Sequence, residues 1–118
     1  MDKFTETARL LDLYGALLTD RQRDVLDLYF NYDLSLQEIA ENQGISRQGV
    51  HDLIKRGEHA LRSAEEKLGF LARLDAIAGS LQEIYIGLEK TATPPNQDRR
   101  LDMAREKVKE LLAGLTGG

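Results

Sequence analysis

The sequence predicts an all-α fold, and three observations carry that prediction. Apolar residues recur every three to four positions through almost the whole chain. Helix-start signals, Thr or Ser followed three residues later by Gln or Glu, stand at Thr19/Gln22 and Ser35/Glu38. No segment alternates apolar and polar residues at the period of two that a half-buried strand requires. A length of 118 residues suits one domain, or one small domain with an appended helical arm. Apolar residues make up 42% and charged residues 31%, too apolar for a disordered chain.

Phe4, Ala8, Leu11, Tyr14 and Leu18 recur at helical spacing and predict a first amphipathic helix over 3–17. The Thr19 capping box opens a second, carrying Val25, Leu26, Leu28, Tyr29 and Tyr32 and ending near Asn31–Asp33. The Ser35 box opens a short third helix with Ile39 and Ala40 facing inward. Gly44 follows its last turn, where a left-handed conformation is cheapest without a Cβ. Ser46 caps a fourth helix whose inner stripe is Val50, Leu53, Ile54, Gly57, Leu61, Ala64 and Leu68, and Gly69 breaks or kinks it.

Beyond that point Phe70, Leu74, Ile77, Leu81, Ile84 and Leu88 alternate steps of four and three, a heptad-like seam. Pro94 and Pro95 stop any helix and mark a linker over 91–97. A last helix over 98–113 carries Leu101, Ala104, Val108 and Leu111, with Leu115 at the same spacing, and Gly114, Gly117 and Gly118 end it. The expected organisation is a core domain over 1–68 and a C-terminal arm over 69–118, with helix 70–90, linker 91–97 and helix 98–113. The seam fits either a hairpin within the chain or a homodimer arm, and a homodimer is favoured because a core this small gains from a partner.

Residues 35–56 carry the most specific pattern. The pair needs a small residue where its helices cross (Ala40), a Gly four residues on (Gly44), an apolar plug (Ile45) and returning apolar residues (Val50 and Leu53). All stand at the right offsets, so the expected core is a helix-turn-helix of three to four helices, winged-helix-like. The outward face of its second helix bears Arg47, Gln48, His51, Asp52 and Lys55. Arg and Gln suit bidentate contacts with guanine and adenine edges, Ser46 with the helix terminus suits a phosphate, and Lys55 and Arg56 suit the backbone. Ser46, Arg47, Gln48, His51, Lys55 and Arg56 are therefore the candidate nucleic-acid-binding residues. The formal charge of −4, seven Lys/Arg against ten Asp/Glu over 19–67, and Asp52 on the presenting face all weigh against phosphate. A solvated or protein-binding face fits the same residues.

Other chemistry finds no foothold. The absence of Cys excludes disulfides and thiolate metal sites, and His51 and His59 lie too far apart to share a metal ion. Ser46, His51 and Asp52 fall around the helix cylinder rather than in a relay. The expectation is no catalytic residue, no metal and no cofactor. No run approaches the ~18 apolar residues of a membrane span and no signal peptide is recognised, so a cytoplasmic protein is expected.

Six segments carry a resemblance: LTDRQ from Leu18, LYF from Leu28, DLSLQEIA from Asp33, ISRQGV from Ile45, DLIKR from Asp52 and EKL from Glu66. Together they resemble the YlxM family of small bacterial helix-turn-helix proteins, over about residues 5–70. The core is also similar, more loosely, to the −35-reading domain of primary sigma factors. The YlxM resemblance implies a non-enzymatic accessory or regulator of the signal recognition particle protein-targeting pathway. The implied partner is the particle's GTPase or its RNA. A sequence-specific regulator that binds duplex DNA is the rival expectation. One departure is Gly49, where Ala would be expected; Gly there costs up to about 1 kcal/mol of helix propensity.

Overall fold

A computed structural model describes residues 2–90 and 99–116. Among them are six α-helices and no strand: α1 (Lys3–Tyr14), α2 (Asp20–Phe30), α3 (Leu36–Gln43), α4 (Arg47–Leu68), α5 (Phe70–Glu89) and α6 (Arg99–Thr116). They fall into two compact units, Met1–Leu71 and Ala72–Gly118.

The first unit is a four-helix core begun at each helix by a side-chain cap. Asp2, Thr19, Ser35 and Ser46 each accept from a backbone amide three residues on. The Thr19 and Ser35 amides donate in return to the side-chain oxygens of Gln22 and Glu38. The inward residues of all four helices, with Leu71, close one apolar cluster centred on Leu10, Val25, Leu26, Ile39, Val50 and Leu61. Gly57 sets the approach of α4 to α2: a Cβ there would lie 2.6 Å from Leu26 Cδ1. Thr7, the one buried polar residue recorded in the core, donates to the Lys3 carbonyl and accepts from Arg62, which also pairs with Glu6 at 3.1 Å. That cluster ties α1 to α4.

Three expectations are corrected. The first α-helix ends at Tyr14, and a 3₁₀ turn, Gly15–Leu17, follows. The tighter turn lets the Leu18 amide reach the Gly15 carbonyl at 3.1 Å before the chain extends into the Thr19 cap. Tyr32 lies beyond α2 and is two-thirds exposed, because Asp33 turns the chain with φ +57°. The last helix passes through Gly114, which is not among the glycines of positive φ, and reaches Thr116. The expected linker over 91–97 lies outside the described residues.

Gly69 takes the left-handed conformation, φ +63°, and ends α4. The corner is closed by side chains. The Tyr14 hydroxyl donates to Glu65 Oε1 at 2.7 Å and accepts from the Phe70 amide at 3.2 Å. The same carboxylate oxygen accepts from the Leu71 amide at 2.9 Å. The first amides of α5, which have no partner within their own helix, are thus held by α1 and α4.

In the second unit the seam resolves into two stripes. Leu74, Leu81 and Leu88, with Ala78 and Tyr85, are half-buried, whereas Ile77 and Ile84 are exposed. Arg105 of α6 donates to the Leu88 carbonyl in the last turn of α5 at 2.9 Å.

Candidate nucleic-acid interface

The α3–α4 pair is positioned by its caps, a glycine turn and packing on the core. Ser35 and Glu38 fix the start of α3, and the Ser35 amide holds the Glu38 carboxyl below its ordinary range. Gly44 turns the chain at φ +68°, a conformation that costs other residues about 1–2 kcal/mol. The Gly44 and Ile45 amides both return to the Ala40 carbonyl. Ile45 packs against the core, Ser46 caps α4, and Val50 and Ile54 anchor its inner face.

That anchoring leaves Arg47, Gln48, His51, Asp52, Lys55 and Arg56 exposed. Two rows at four-residue spacing result: Arg47, His51 and Lys55 in one, Gln48, Asp52 and Arg56 in the next. Beside the first turn, Leu36 of α3 joins Arg47, Gln48 and His51 around an open groove of ≈ 460 Å³. Three cations face one carboxylate here, so this face is locally basic on an acidic unit. Ser46 stands apart from the others in one respect: its hydroxyl oxygen is engaged as the cap, 3.0 Å from the Gly49 amide.

Asp52 is partnered within the helix. Gln48 Nε2 donates to its Oδ1 at 3.0 Å, and His51 Nδ1 lies 3.8 Å from the same oxygen, a pair that is ionic only when the imidazole is protonated. A primary amide has two N–H donors and one carbonyl. The Asp52 bond uses one donor and orients the group. The remaining N–H and the Oε1 are the pair an adenine edge requires.

A second concave feature was not legible from sequence. Leu11, Gly15 and Ala16 floor an open groove of ≈ 340 Å³ between α1 and α2, rimmed by Asp12, Asp24, Asp27, Asn31 and Arg23. Arg23 leans on Asp20 at 3.1 Å. The spacing of Asp24 and Asp27 places both on one face of α2, but their convergence with Asp12 depends on how α1 packs. No group of three or more His, Cys, Asp or Glu among the described residues is arranged to hold a metal ion. No helix among them is long and apolar enough to cross a membrane.

Comparison with known proteins places this geometry in context. Residues 1–102 match the family UPF0122, described as "Putative helix-turn-helix protein, YlxM / p13 like". A UPF0122 protein of Acetivibrio thermocellus is 62% identical over 116 residues, 95% of this chain and 98% of the relative. One from a Thermoanaerobacter species is 41% identical over 110 residues, 93% and 94% of the two chains. One from Desulforamulus reducens is 45% identical over 84 residues, 71% and 72%.

Proposed function

Since the chain belongs to the UPF0122 family of YlxM / p13-like helix-turn-helix proteins, we propose that it acts without catalysis, in the cytoplasm, by engaging a nucleic acid through the first turns of α4. The observation that carries this reading is the exposed row Arg47, His51 and Lys55 beside a Gln48 amide oriented by Asp52. Arg47 and Gln48 contact base edges, and Lys55 and Arg56 contact phosphates. Ser46 contributes through the helix terminus it caps. In its sharper form the protein is an accessory of the signal recognition particle pathway, the role that the resemblance to YlxM implies, and its ligand is the particle's RNA or its GTPase. The rival form is a sequence-specific regulator on duplex DNA.

The acidic groove favours a protein contact in addition. Three aspartates over an apolar floor suit a basic protein surface and repel nucleic acid, so the two faces of the first unit sort partners by charge. We also assign a second copy of the chain as the partner of the helical arm.

Co-purification of the tagged full chain from its host, with sequencing of retained nucleic acid and mass spectrometry of retained protein, tests these forms together. Particle RNA or its GTPase supports the accessory role, and a recurrent duplex sequence supports the regulator. Recovery of none of the three contradicts the proposal.

A further inference from the structure

α5 carries more apolar surface than the described residues cover. Ile77 and Ile84, seven residues and so two turns apart, are 44% and 50% exposed. Burying an isoleucine fully is favourable by about 1.5–3 kcal/mol, so this stripe is a driving force without an outlet in one copy. The residues beside it along the same face are Arg73, Ser80 and Gly87, with Glu83 at its edge, and all are exposed. Arg73 and Glu83 have no ion-pair partner among the described residues.

We propose that this face of α5 is a self-association surface on which a second copy packs antiparallel, with the two-fold axis between Ala78 and Gly79. The proposal rests on the reading of the arm as a dimer element and adds its geometry. Antiparallel pairing about that axis sets Ile77 of each copy against Ser80 of the other, a large residue against a small one. It sets Ile84 against the aliphatic stem of Arg73, whose guanidinium then reaches Glu83, the next residue along. The symmetry makes each contact twice, as an isologous interface requires. A parallel pair in register would place Arg73 against Arg73 and Glu83 against Glu83, and like charges disfavour it. The charges therefore choose the direction and the alternation of large and small residues chooses the register. A two-helix contact of this length lies at the small end of specific interfaces, so association in the micromolar range is expected.

The chain has no Cys, so single cysteines report position cleanly. Antiparallel packing brings the two copies of position 80 within a turn of each other. It holds the two copies of position 87 about 25 Å apart along the axis, at ~1.5 Å rise per residue. With a short bismaleimide, Ser80→Cys crosslinks to a dimer and Gly87→Cys does not. In sedimentation equilibrium, Arg73→Glu and Glu83→Arg each weaken association at least tenfold. The double variant returns within threefold of the parent. A parent chain that stays monomeric at 100 µM contradicts the dimer reading and this proposal with it. A parent dimer that crosslinks through both positions, or a double variant that fails to recover, overturns the antiparallel register and leaves the dimer reading standing.

Discussion

Gly57 and Gln48 show how much single residues decide here. Gly57 lets α4 approach α2 so closely that a Cβ would overlap both terminal carbons of Leu26, a side chain with no exposed surface to retreat into. Gly57→Ala gains up to about 1 kcal/mol of helix propensity. Overpacking costs about 1–3 kcal/mol, so the net effect is a destabilisation of up to about 2 kcal/mol. Urea unfolding of the variant measures it, and a stabilised variant would contradict the packing. Position 57 was legible as part of an inner stripe, but its role as a crossing point was not, since the partner lies thirty-one residues earlier. Gly49 reads differently once the fold is seen. A Cβ there would lie 3.1 Å from the Ser46 hydroxyl, against the cap that starts α4. The exposed row was legible because helical spacing alone groups Arg47, His51 and Lys55. The Gln48–Asp52 bond was not, because it depends on side-chain rotamers.

At the scale of elements, starts were easier to read than ends. Both capping boxes stand where the sequence signals them, since a cap is a contact between residues three apart. Ends depend on what the chain does next: the 3₁₀ turn after α1 exists to reach the Thr19 cap, and Gly114 continues α6 because nothing there demands a left-handed residue. The α5 seam divides for a related reason. Steps of four and three can be traced along either of two adjacent stripes when a helix is apolar on both. The α4–α5 corner gives this scale its prediction. Burial, first, and the bond to Glu65, second, raise the Tyr14 phenol above its ordinary value of 10.0. A raised phenol contributes stability that is complete below the ordinary value and lost as pH rises through the raised one. In an absorbance titration, the Tyr14 phenol should ionise above its ordinary value of 10.0. Tyr14→Phe should remove that late step and speed amide exchange at Phe70 and Leu71 at neutral pH. A Tyr14→Phe variant whose titration above 10.0 matches that of the parent would contradict the corner as described.

Across the whole molecule, charge is sorted rather than balanced. Counted over residues 19–67 the first unit is acidic, and that count hides a locally basic row on α4 and an acidic groove between α1 and α2. Composition could not separate them because it averages over faces that packing keeps apart. The fold class and the family were legible, since periodicity, caps and the Ala40–Gly44–Ile45 turn are properties of neighbouring residues. The charge map was not, since it arises from contacts between helices. The central claim is that the first turns of α4 read a nucleic acid. Fluorescence anisotropy of the full chain with duplex DNA and with particle RNA, across a salt series beginning at low ionic strength, tests it most directly. Saturable binding to one of them, weakening with salt, is the expected result. Gln48→Ala should lose ~1–3 kcal/mol on the preferred sequence, while Arg56→Ala weakens all sequences alike and reduces the salt slope by about 1. No retention of either ligand at the lowest salt, or binding indifferent to both substitutions, would contradict it.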